Sequence, residues 1–215
     1  MSPRLMVEID MNDLGPALTK LAAQFRRPAV EFGMLLADPV FWGWNVPRGD
    51  GRPVMVLPGF GGGDLYLRPL RGWLGRIGYA PVRSGLDRSP GWSEELVDQL
   101  GELADDQSRR TGSRVTIIGH SMGGLLGRSI AVRRPHVVRE VIALASPLRT
   151  ARSRMPASVA MTALYSRSDE VVEYPVGLAP DSHARNLEVG GSHVGMATNR
   201  EVYRLLGALL GTQSE

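Results

Sequence analysis

"VTIIGHSMGGLLG", Val115 to Gly127, sets a single serine among glycines at the point where an apolar run stops. "RVTIIG" has the β-branched, nearly all-apolar character of a buried strand, and "MGGLLGRSIAVRRP" reads as a helix halted at Pro135. A tight turn must join the two at Ser121. Either the glycines serve only that turn, as in a strand–turn–helix corner or a phosphate-binding loop, or the turn exists to present the serine hydroxyl.

The same alternation extends in both directions. "PVMVLPG" (53–59) is an apolar strand running into a Gly-rich loop, and "LYLRPLRGWLGRIGY" carries a helical pattern. "APVRSG" is a short strand, and "WSEELVDQLGELADDQSRRTG" an amphipathic helix closed by Gly112. Beyond Pro135 follow the strands "REVIALAS", "VAMTALYS" and "RNLEVGG", then a closing helix, "TNREVYRLLGALLG". Apolar strands alternating with helices predict an α/β fold, a mostly parallel sheet with helices on both faces. Ahead of this core, Asn12 and Asp13 can cap a helix that spaces Leu14, Leu18, Leu21 and Phe25 at helical intervals. Pro28 should bend or end it, and "PAVEFGMLLADP" can begin a second helix. In the connector that follows, Phe41, Trp42 and Trp44 are expected to cover the sheet edge. With no repeat, low-complexity tract or linker, one domain over 1–215 is expected, a helical extension over 1–50 and a core over 51–215.

Composition narrows the chemistry. At 215 residues, 43% hydrophobic and 22% charged, the chain is long enough for one well-packed globular domain. It has no cysteine, which excludes disulfides, thiolate nucleophiles and zinc–sulfur sites. Its four histidines, His120, His136, His183 and His193, are too scattered to suggest a metal cluster. The net charge is only +3, although nearly every basic residue is arginine, and no basic run is long enough to expect nucleic-acid binding. Acidic residues interrupt "MSPRLMVEIDMNDLG", so it has no apolar signal core, and no run reaches membrane-spanning length. A cytoplasmic location is expected, and the oligomeric state stays open.

"GHSMG" (119–123) fits G-x-S-x-G, and it lies between a strand and a helix, the setting of a nucleophile elbow. A turn that sharp brings the residues two before and two after the serine together, which glycine permits because it lacks a Cβ. The helix N-terminus behind the turn supplies backbone N–H groups and partial positive charge. A serine alone is a poor nucleophile, so the elbow requires a histidine base and an acid to orient it, the acid first in chain order. "VAMTALYSRSDEVV" delivers Asp169 at the end of a strand, and "NLEVGGSHVGM" delivers His193 after the last one. Glu170 is adjacent to Asp169 but points elsewhere, toward solvent. His120 is expected to pack or hydrogen-bond beside the elbow, His136 to be exposed and His183 to be structural. Oxyanion donors are expected from the backbone N–H of Met122 and, in "GFGGGD" after the early strand, that of Phe60.

With "GFGGGD", "GHSMGG", "SRSDEVV" and "GGSHVGM" in this order, the chain resembles the α/β-hydrolase superfamily, most of all small bacterial esterase- or lipase-like members, over about residues 50–210. The resemblance implies Ser121 as nucleophile, His193 as base, Asp169 as acid and the Phe60 and Met122 amides as oxyanion hole. It further implies a small-molecule ester or acyl substrate, an acyl-enzyme intermediate, and no metal or organic cofactor. A thioesterase or acyltransferase would use the same residues, and a non-catalytic binding protein could share the fold. Lipases of this superfamily usually insert a helical lid after the strand that follows the elbow helix. Here only Pro147 to Ser158 are available, so a minimal or absent cap is expected, with the site open or partly covered by the N-terminal helices. Arg149, Arg152 and Arg154 in that loop, with Arg83 and Arg88 after "APV", suggest a basic rim for substrates bearing phosphate or carboxylate.

Overall fold

The structure, a computed structural model, describes residues 26–211. The helix expected from Leu14 to Phe25, with its caps Asn12 and Asp13, lies outside the described residues. Residues 26–36 are helical (α1), and Pro28 falls within them. The core then alternates: β1 (Pro53–Leu57), α2 (Arg68–Arg76), β2 (Ala80–Arg83), α3 (Glu94–Thr111), β3 (Val115–His120) and α4 (Met122–Arg133). It continues with β4 (Val138–Leu144), β5 (Ala160–Tyr165), β6 (Arg185–Glu188) and α5 (Arg200–Gly211). Local chemistry explains the boundaries. Ser93 caps α3 by accepting the Leu96 N–H at 3.1 Å, Glu94 and Glu95 occupy its positive end and Arg109 and Arg110 its negative end. Gly112 ends it in a left-handed conformation, φ 67°.

All six strands are parallel, in the order β2-β1-β3-β4-β5-β6. Side chains alternate between two apolar layers. Val54 and Val56 of β1 pack with α1, α2 and α5, whereas Met55 and Leu57 pack with α3 and α4. Burial on both faces is why the central strands read as continuous apolar runs. The two edge strands are the polar ones, with exposed Arg83 on β2 and Arg185, Asn186 and Glu188 on β6.

The connector aromatics depart from expectation. Phe41 does not cover a sheet edge; it is buried in the layer of α2 and α5, its ring 6.2 Å from that of Tyr203. Trp42 and Trp44 remain 52% and 69% exposed. A 3₁₀ turn at Pro39–Trp42 causes the difference, because it turns one aromatic inward and leaves its neighbour out. Nearby, the fully buried Trp73 of α2 donates its indole N–H to the Val40 carbonyl at 2.8 Å.

Between β4 and β5 the only regular element is a 3₁₀ turn, Leu148–Thr150. The chain runs from β1 outward to β2, then crosses back to β3 on the other side of β1. The loops leaving β1 and β3 therefore diverge at the carboxyl end of the sheet, and the crevice between them is where open α/β sheets bind ligands.

Candidate active site

Ser121 stands at that crevice with φ 53° and ψ −122°, a left-handed conformation that a residue with a Cβ adopts at a cost. The packing allows nothing larger around it. A Cβ on Gly119 would collide with the Gly123 carbonyl, and one on Gly123 would collide with the Leu57 carbonyl. Ser121 donates its backbone N–H to the Leu144 carbonyl at 2.8 Å and occupies the N-cap of α4 without using its side chain as a cap. The hydroxyl is left for other partners.

His193 provides one: its Nε2 lies 3.0 Å from Ser121 Oγ. Its Nδ1 faces Asp169, 2.9 Å from Oδ2 and 3.1 Å from Oδ1. Both side chains are buried. Burial would raise the Asp169 pKa. The hydrogen bonds from His193 and from the Val172 and Val171 N–H groups outweigh that, holding the carboxyl below the usual range. An ionised Asp169 requires the proton on Nδ1, which turns the Nε2 lone pair toward the Ser121 hydroxyl.

The loop after β1 meets Ser121 directly. A Cβ on Gly59 would lie 2.9 Å from Ser121 Cβ, so only glycine lets this backbone come so near. Phe60 follows, its side chain 72% exposed and its ring packed on Gly91. Among the described residues the backbone N–H groups of Phe60 and Met122 donate to no backbone carbonyl outside regular helices and strands. The loop is held by Gly61 N–H on Ser89 and by Asp64, 2% exposed, which accepts from Ser84 Oγ and the Gly85 N–H.

Residues outside the candidate triad hold these groups in place. Gly59 donates its N–H to the Tyr66 hydroxyl at 2.8 Å, and Tyr66 donates in turn to His120 Nδ1 at 3.0 Å. His120 Nε2–H donates to the His193 carbonyl at 2.8 Å. Burial pushes Tyr66 up to about 12 and His120 down to about 4, so both stay neutral and the direction of this relay is defined. On the other side, Glu31 of α1 accepts the Ser192 N–H at 2.9 Å and the Ser192 hydroxyl at 2.7 Å. Glu170 is exposed, as expected, yet its Oε2 accepts the His193 N–H at 3.3 Å, so it is not merely a solvent-facing neighbour. Gly59 and Ser192 each lie beside a candidate residue, but Tyr66 and Glu31 carried no local signal, because only folding brings them there.

The remaining candidates scatter. Arg152 lines two adjoining cavities, about 420 and 450 Å³, and Arg154 lines the second; Arg149 lines neither. Arg83 pairs with Asp64 at 3.5 Å, and Arg88 is exposed. His136 is exposed, 3.7 Å from Asp105, and His183 is exposed at the second cavity rather than structural. Among the described residues no group of three or more His, Cys, Asp or Glu is placed to hold a metal ion. No helix there is long and apolar enough to cross a membrane.

Residues 92–196, just under half of the chain, match the family described as PGAP1-like alpha/beta domain. No curated protein matches the chain. Among solved structures, Aspergillus fumigatus lipase B is similar with a TM-score of 0.61 and 18% identity, over 76% of this chain and 54% of that one. A lipase-esterase related protein from Clostridium acetobutylicum is similar with a TM-score of 0.59 and 11% identity, over 78% and 97%. Paleococcus ferrophilus monoacylglycerol lipase gives 0.57 and 14%, over 79% and 97%. At these identities the likeness is one of architecture, and with a parallel six-stranded sheet, helices on both faces and a serine turn after β3, this chain has the α/β-hydrolase fold.

Proposed function

We propose that the protein is a serine hydrolase of carboxylic esters. The observation that carries this reading is the hydrogen-bonded line Asp169–His193–Ser121, ending on a serine held at positive φ beside the Phe60 and Met122 N–H groups, which among the described residues donate to no backbone carbonyl outside regular helices and strands. Ser121 Oγ attacks the ester carbonyl as its proton passes to His193 Nε2, and a C–O bond forms. The tetrahedral oxyanion accepts from the Phe60 and Met122 N–H groups, each such donor lowering the barrier by about 3 kcal/mol. The C–O bond to the leaving alcohol then breaks, and the Nε2 proton goes to the alkoxide. Water, deprotonated by the same nitrogen, attacks the acyl-enzyme carbonyl; the C–O bond to Ser121 Oγ then breaks, the Nε2 proton passes to Oγ, and the carboxylic acid leaves. Asp169 stays ionised throughout and stabilises the imidazolium.

A fluorophosphonate probe should label the parent protein at Ser121, and Ser121→Ala should lose both the label and roughly 10⁶-fold in kcat for p-nitrophenyl esters. Folded parent protein that does not label refutes the reading. Comparing p-nitrophenyl esters with acyl-CoA thioesters separates ester from thioester hydrolysis.

A further inference from the structure

The half-exposed face of α4 is a stripe that begins at the reacting serine: Ser121, Met122, Leu125, Ser129 and Val132. At 1.5 Å per residue it runs about 16 Å from Ser121. Leu125, Ser129 and Val132 floor the first cavity. One wall starts at the candidate oxyanion loop, where the Phe60 ring packs on Gly91, and continues in Trp92, which is 45% exposed and donates its indole N–H to Ser129 Oγ at 3.1 Å. The opposite wall is the segment from Thr150 to Ser153, in the position where a helical cap is missing. That wall is tied down, since the buried Arg128 donates to the Ser153 carbonyl and pairs with Asp181, and Asp181 also accepts the Met155 N–H at 2.9 Å. At Arg152 the first cavity continues into the second, which Arg154 lines.

Charges along this groove are unevenly matched. Arg128 is neutralised by Asp181, and Arg133 by Glu94 and Asp98. Among the described residues Arg152 and Arg154 form no ion pair, and both are exposed. We propose that the groove along α4 is the substrate-binding site of Ser121: an extended apolar arm lies over Leu125 and Val132 against Trp92, and an anionic group at its far end binds Arg152 and Arg154. This deepens the ester-hydrolase reading and rests on it for the chemistry at Ser121. The substrate class is thus an amphiphilic ester carrying a phosphate or carboxylate remote from the scissile bond. Guanidinium suits either anion, since its planar fork binds both oxygens.

The test reads binding without turnover. Ser121→Ala protein is titrated calorimetrically with dodecyl phosphate and with dodecyl maltoside, each below its micelle-forming concentration. The phosphate should bind tighter by roughly tenfold or more, a preference that shrinks with added salt. Adding Arg152→Ala and Arg154→Ala should bring the two affinities together, and adding Ser129→Trp, which fills the groove, should weaken the phosphate by at least roughly tenfold. Val132→Glu, which puts a like charge at the outer end, serves if Ser129→Trp does not fold. Equal affinities before the arginines are removed, or a blocked groove that binds as well as an open one, overturns the proposal. Parent protein that binds dodecyl phosphate as expected but takes no fluorophosphonate label leaves the groove standing and refutes the hydrolase reading instead.

Discussion

His120, the residue before Ser121, is buried beside the candidate triad and lies outside the proposed proton path, yet it joins the two loops that flank Ser121. Its neutrality can be tested. In the unfolded chain an imidazole takes up a proton below about pH 6.5, whereas burial delays this in the folded protein to about 4. Between those values the unfolded state binds more protons, so stability falls as pH drops through the window, by about 3 kcal/mol in all. Asp169 behaves differently: its pKa is lowered, so its contribution persists until the pH falls below the ordinary carboxylate range. Thermal unfolding followed by circular dichroism should give a Tm that declines from pH 7 to 4.5, and His120→Gln should flatten that decline. At this scale Ser121, Asp169 and His193 were legible in the sequence, since each is marked by neighbours in the chain: glycines, or the end of an apolar run. The roles of Tyr66 and Asp64 were not, because Tyr66 meets His120 across 54 residues and Asp64 meets Ser84 across 20.

At the level of elements, α1 has a direct link to the histidine loop. Glu31 takes two hydrogen bonds from Ser192 and lies so close to Gly195 that a Cβ there would collide with its carboxylate. Glu31→Ala would leave a buried N–H and hydroxyl unpaired, at about 1–3 kcal/mol. Because His193 follows Ser192, we expect kcat to fall roughly ten- to a hundredfold while KM changes little, and Glu31→Gln, which keeps one acceptor, to lose less. Steady-state kinetics on p-nitrophenyl esters, with Tm as a control for folding, checks this. Strands and helices of the core were legible because their periods differ and their caps are local; Ser93 and Gly112 mark α3 at both ends. What α1 touches was not legible, since its partner is 161 residues distant in the chain.

Over the whole molecule, the sheet divides the interior into two apolar layers, and Trp73 anchors the one that includes the connector after α1. Its ring packs 4.8 Å from that of Tyr203, and its N–H is the partner of the Val40 carbonyl. Trp73→Ala should cost about 3–5 kcal/mol, measured by urea unfolding, because the cavity it leaves is closed by three elements that cannot all collapse. The placement of Phe41 is of the same kind: its apolar character was plain, but whether it met a sheet edge or the α2–α5 layer depended on a turn of four residues. By itself the sequence determined the alternation, and with it a parallel sheet, and offered a candidate serine, acid and histidine in that order, because periodicity and turn chemistry act between near neighbours. Only the tertiary structure decided which loops meet Ser121, which buried groups hold them, and that an uncapped face of α4 opens beside Arg152 and Arg154, which form no ion pair among the described residues, because those contacts join residues whose separation in the chain carries no periodic signal.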